Sequence, residues 1–111
     1  MDPDNDSMNK KVGITFTRLS DGLILHVNER YVKMLGFTIN EMMSETTLTT
    51  NIWLNLDERN AVISQLLEKG SIETRKLKVR KKDGEIKDVW FSAELIEIDN
   101  EKYSIGIIQD I

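Results

Sequence analysis

The stretch that decides the fold is Ser20–Phe37, SDGLILHVNERYVKMLGF. Asp21-Gly22 suits the positive φ of a tight hairpin turn. Leu23, Ile24, Leu25 and Val27 form a short apolar run bounded by turn chemistry, too short for a buried helix, so it reads as a strand. Asn28 stands where a helix should begin, and its side-chain oxygen can accept from the orphan amides of a first turn. Tyr31, Val32 and Leu35, with Met34 beside Leu35, recur at the spacings of one side of that helix. Gly36 closes it at the left-handed position.

Working outward, Val12, Ile14 and Phe16 alternate with Thr15 and Thr17, the pattern of a half-buried strand that forms a hairpin through Asp21-Gly22. Residues 1–11 are polar and read as a flexible leader, leaving 12–111 as one domain. On the other side, Thr38-Ile39-Asn40-Glu41 has the spacing of a capping box, with a brief helix through Met43. Residues 44–51, rich in Thr and Ser, read as loop with a helical turn.

Residues 53–70 carry a longer helix, with Asp57 as cap, Glu58 at the positive helix start and Gly70 as stop. Its buried stripe is Ala61, Val62, Ile63, Leu66 and Leu67. Burying four such aliphatic side chains contributes about 6–12 kcal/mol before entropy, enough to clamp the helix on a sheet.

Three strands follow. Leu77 and Val79 alternate with Lys76, Lys78, Arg80 and Lys82 up to the Asp83-Gly84 turn. Val89, Phe91, Ala93 and Leu95 then share one side, opposite Trp90. Asp99-Asn100 turns the chain into a last strand over 102–111. Two strands, short helices, a longer helix and three strands predict an α+β fold, a five-stranded antiparallel sheet with helices on one face.

At 111 residues the chain holds one core. No run of about eighteen apolar residues could span a membrane, and residues 1–11 lack the apolar region of a signal peptide. Without cysteine there is no disulfide framework, thiolate nucleophile or thiolate metal site. A net charge of −4 argues against nucleic acid as a partner. The expected compartment is the cytoplasm.

Asp21, Gly22, Ile24, Val27, Asn28, Leu35, Gly36 and Phe37 together resemble the start of a PAS domain, the sensory module of signalling proteins. Four further matches follow: the Gly36-Phe37-Thr38…Glu41 step, Trp53…Asp57…Arg59 entering the long helix, the Lys81-Lys82-Asp83-Gly84 turn, and Gly106…Asp110-Ile111 at the close. The resemblance covers residues 12–111 and implies that the first and last strands are neighbours. In the family a Thr and a helix into the next module usually follow. The chain stops before them, so a covalently linked C-terminal effector is expected beyond Ile111.

The family's cofactors can be tested residue by residue. Haem-binding relatives offer a histidine on the long helix, and residues 57–69 have none. Met42 or Met43 is an alternative iron ligand, although methionine packs a core more often than it ligates. Flavin photosensors need a reactive cysteine, absent here, and a glutamine two residues after the last strand's glycine. That place holds Ile108, and Gln109 follows one residue later, on the opposite face. Histidine-ligated haem and cysteine-dependent flavin photochemistry are therefore argued against. Non-covalent flavin stays open, and the cofactor is otherwise unknown.

His26, the single histidine, has no companion ligands and reads as a packing or surface residue. Asp57 and Glu58 are better explained by the helix start than as a catalytic pair. Met34, Leu35, Met42, Trp53, Val62, Leu66, Phe91, Ile105 and Ile107 either fill the core, the favoured reading, or line a small cavity between helices and sheet. Lys76, Lys78, Arg80 and Lys82, with Glu73, Glu85, Asp88 and Glu94 nearby, read as a charge-balanced outer face. Trp90, Ile86 and Ile96 in that outer pattern suggest a cover: a flanking helix or a second copy.

With no general acid or base placed in a cavity, the domain reads as non-enzymatic. The resemblance implies a sensory and dimerisation module of a histidine kinase or cyclic-dinucleotide enzyme, with Asp110 fixing the exit direction toward the effector. The alternative is a ligand-free assembly domain.

Overall fold

A computed structural model describes residues 12–43, 45, 46, 50 and 52–111. The leader, and most of the stretch 44–51, lie outside the described residues. In chain order the elements are β1 (Val12–Arg18), β2 (Ile24–Val27), α1 (Glu29–Leu35), α2 (Ile39–Met42), α3 (Leu56–Lys69), β3 (Ser71–Arg80), β4 (Ile86–Ile98) and β5 (Glu101–Asp110). The strands form one antiparallel sheet in the order β2-β1-β5-β4-β3. First and last strands are neighbours, and β5 is central. The helices pack on one face.

Asn28 does more than cap. Its Oδ1 accepts from Tyr31 N at 3.0 Å and from Ile14 N at 2.9 Å, while its Nδ2 donates to the Val12 carbonyl at 3.0 Å. Its own backbone N–H donates to the Ile14 carbonyl at 3.0 Å. One residue thus ends β2, starts α1 and holds that helix over β1. The crossing is close: a Cβ on Gly13 would lie 2.8 Å from Tyr31 Cα, too near for any other residue without a shift.

The turns follow from local chemistry. Gly22 (φ 73°) is locked by Asp21, whose carboxylate accepts from Leu23 N and pairs with Arg18 at 2.6 Å. Asp99 and Asn100 both take left-handed φ, 51° and 67°, as a two-residue turn between paired strands requires. The Thr38/Glu41 capping box forms, and Gly36 closes α1 at φ 86°.

Four expectations are corrected. In β1 the core side is Gly13, Thr15 and Thr17, and Val12, Ile14 and Phe16 face outward. Asn55, not Asp57, caps α3, accepting from the amides of Asp57 and Glu58. Of the α3 stripe only Val62 and Leu66 are buried, with Ile63 intermediate and Ala61 and Leu67 exposed. Two fully buried side chains contribute about 3–6 kcal/mol, half the clamp expected. Finally, a bulge between Ile72 and Arg75 resets β3, so that Ile72 joins Leu77 and Val79 on the core side despite an odd spacing.

Asn28→Ala should cost about 2–3 kcal/mol in urea unfolding, a lost cap plus the bonds to β1. Asn28→Asp keeps both acceptor bonds, loses the donor to Val12, and should fall between. A loss under about 0.5 kcal/mol for Asn28→Ala would contradict the clamp.

Candidate functional site

The inner face of the sheet's centre is built from small side chains. Across the strands Thr15 lies opposite Gly106, which lies opposite Ala93, and Thr17 lies opposite Ser104. A Cβ on Gly106 would meet Thr15 Cγ2 at 3.2 Å, so this row is tight in the sheet plane yet short above it. α3 passes over that floor and leaves a cavity of about 80 Å³.

Its walls are Val62, Ile63 and Leu66 from α3, Leu77 and Val79 from β3, Phe91 from β4 and Ile108 from β5. Ile52 and Trp53 close one side. The segment is fixed there by a bridge of Trp53 to Val79 and by Arg80 N donating to the Ile52 carbonyl at 2.9 Å. The Trp53 ring stands edge-on to Phe91, centroids 6.1 Å apart. Leaving such a space unfilled costs on the order of 2 kcal/mol, which a ligand of matching shape would recover.

Polar groups enter at two places. Thr17 Oγ1 and Ser104 Oγ, both buried, share a hydrogen bond of 2.9 Å. Two hydroxyls bring two hydrogens, and their mutual bond uses one. The second place is Arg59, partly buried, whose guanidinium is held below its ordinary pKa by burial. It stays charged nonetheless, being far above neutrality. Among the described residues it makes no ion pair. Arg18, which also lines the cavity, is paired with Asp21 and lies 3.9 Å from Glu101.

The expected lining residues separate into three groups. Trp53, Val62, Leu66 and Phe91 line the cavity. Met34, Leu35 and Met42 are buried in the core but do not border it. Ile105 and Ile107 lie on the opposite face, because the residues of β5 that look inward are Ser104, Gly106 and Ile108. Thr17, Ser104 and Arg59 were missed as lining. The one signal for Thr17 and Ser104 was the run of small residues in β1 and β5, and Arg59 stood out only as part of the entry to the long helix.

The outer face is the more apolar of the two near the centre. Ile14 lies opposite Ile107, Phe16 opposite Ile105, and Tyr103 opposite Ile96. Phe16 and Tyr103 stack at 5.0 Å. Trp90 and Ile98 are exposed at its edge. Lys78 of β3 pairs with Asp88 of β4 at 2.8 Å, as expected for the basic row, while Lys82 pairs with Glu41 of α2 on the helix side. His26 is exposed on β2.

At the end of β5, Asp110 pairs with Arg30 of α1 and with Lys87 of β4, the latter at 2.5 Å. Lys87, then Arg30, holds its carboxyl below the usual range.

The family model of the PAS fold matches residues 9–111. The chain belongs to the PAS family. Among solved structures it is similar to the PAS domain of a Colwellia psychrerythraea protein (20% identity, TM-score 0.77, covering 97% of this chain and 95% of that one). It is also similar to a PAS domain from a two-component sensor histidine kinase (16%, 0.75, 90% and 85%). A third is a domain of a sensory box sensor histidine kinase/response regulator from Geobacter sulfurreducens (17%, 0.70, 96% and 92%). At these identities the likeness shows the fold. No curated protein matches the chain significantly.

The cavity is about half the roughly 150 Å³ that admits benzene, far below a flavin or haem. Ile108, buried, occupies the glutamine's place, and Gln109 is exposed on the other face. The long helix carries no histidine. No group of His, Cys, Asp or Glu able to hold a metal occurs among the described residues, and no helix there is long and apolar enough to cross a membrane.

Thr17→Val or Ser104→Ala alone should destabilise the domain by about 1–2 kcal/mol, since each strands a buried hydroxyl or leaves a hole. The double variant should cost less than the sum of the two. Strict additivity in urea unfolding would mean that the pair is not a unit.

Proposed function

We propose that this PAS domain is a sensory relay of a larger cytoplasmic signalling protein, a histidine kinase or cyclic-dinucleotide enzyme, coupling a small ligand or partner to a C-terminal effector. The observation that carries the reading is the two-sidedness of β5. Ser104, Gly106 and Ile108 floor the cavity on one side, and Tyr103, Ile105 and Ile107 centre the apolar outer face on the other. A change in how the cavity is filled acts on the same strand that presents the outer face and ends at Asp110. The resemblance to sensor histidine kinase domains supports the choice of host.

The outer face is assigned to a second copy of this chain. Its aromatic centre, Phe16 on Tyr103 with Trp90 nearby, inside a rim of charges, has the composition of an interface core, and a two-fold axis makes one such patch self-complementary. Assembly without any ligand is the second reading, and the same patch favours it. The domain itself performs no catalysis in either.

In sedimentation experiments the chain should dimerise with rising concentration, and Ile105→Glu should shift the equilibrium toward monomer by at least about tenfold. A monomer at every concentration would remove the second copy.

Asp110 is the exit relay in this reading. Its folded carboxyl is depressed below 3.8, so its stabilisation is full above that value and lost as pH falls through the lower folded value. Asp110 is over a third exposed, so Asp110→Ala should cost no more than about 1 kcal/mol at neutral pH and nothing in strong acid. The same change should alter effector output in the full-length protein. Unchanged output would sink the relay.

A further inference from the structure

We infer that the inner cavity is built for a small monoanion, a short-chain carboxylate whose carboxyl group meets Arg59 and whose alkyl end fills the apolar interior. This rests on the sensory reading above and names its ligand class.

Charge is the first constraint on the ligand. Arg59 stands one helical turn before Val62 and Ile63, so all three share the face of α3 that borders the cavity. The other basic side chains near this site are committed: Arg18 to Asp21, and Arg75 lies 4.0 Å from Glu58. Arg59 alone is partly desolvated at the cavity with no carboxylate beside it among the described residues. A planar guanidinium matches a carboxylate with two parallel hydrogen bonds.

Size and lining then restrict the anion. About 80 Å³ is roughly half a benzene cavity and takes about four or five non-hydrogen atoms. Leu66, Leu77, Phe91 and Ile108 offer only apolar surface to such a guest, which disfavours sulfate or phosphate and favours a short alkyl chain. The Thr17–Ser104 pair adds one unused hydroxyl hydrogen at the floor. A carboxylate with a one- or two-carbon tail, about four or five non-hydrogen atoms in all, meets the conditions of charge, size and lining.

The test is an NMR and calorimetric titration of the chain with sodium propionate and with its neutral isostere propionamide, at constant ionic strength. The same titrations are run on Arg59→Gln and Arg59→Lys, with circular dichroism confirming that both fold. Propionate should bind saturably and move the Val62, Leu66 and Gly106 amides. Propionamide should bind at least about tenfold more weakly, as should propionate to Arg59→Gln, with Arg59→Lys between.

Equal affinity for acid and amide, or propionate binding untouched by Arg59→Gln, would overturn the charge assignment while leaving a cavity that senses shape. Competition by sodium sulfate as strong as by propionate would overturn it as a surface anion effect. Absence of saturable binding by any acid from acetate to valerate would overturn it too. The sensory reading would still be judged separately, by the Asp110→Ala output.

Discussion

Asn28 is the constraint on which the rest of this fold depends. β2 has four residues and α1 seven, and neither length is stable alone. The Asn28 side chain gives both a fixed place by satisfying an amide of the helix and one amide and one carbonyl of β1. The cost is proximity. A helix held that close to β1 requires Gly13 beneath Tyr31 and short side chains along the same row. The clamp that organises the first half of the domain therefore also shapes the floor of the cavity.

Small residues inside leave the large ones outside. In β1 and β5 the inward rows hold Gly13, Thr15, Thr17, Ser104 and Gly106, with Ile108 the one large side chain among them, and the outward rows hold Ile14, Phe16, Tyr103, Ile105 and Ile107. A sheet so arranged has two working faces and one shared strand. The cavity is a modest energetic defect, on the order of 2 kcal/mol, and the apolar outer patch is another exposed cost. Both are offset when something fills or covers them. In the proposed function, β5 is the strand through which sensing and assembly would be linked.

The legible parts of the fold were those written in local chemistry. Asn28, Gly36, the Thr38/Glu41 box, the Asp-Gly turns and Asp99-Asn100 each announce a backbone conformation that few other residues favour. The strand faces were not legible in the same way. Alternation tells which residues share a face, but it names the buried face only when one face alone is apolar. Here Val12, Ile14 and Phe16 out-rank two threonines in hydrophobicity and still point outward. The bulge in β3 leaves no turn residue to mark it, and it alone brings Ile72 onto the side of Leu77 and Val79. At the site, Val62, Leu66 and Phe91 border the cavity, and the opposite faces of α3 and β4 are polar or exposed. Ile105 and Ile107 were misplaced for the reason that misplaced β1. Arg59 was legible only as part of the entry to the long helix, since its lack of an ion pair among the described residues is a fact of three dimensions.

The account's central claim is that the large apolar residues of β1 and β5 face a second copy, and the small ones face the cavity. Isoleucine-methyl NMR of the chain over a wide concentration range tests it most directly. The methyls of Ile14, Ile105 and Ile107 should shift with concentration as the outer face is covered, while those of Ile24, Ile72 and Ile108 stay fixed. Concentration-dependent shifts in the inner set, or none in the outer set, would contradict the account.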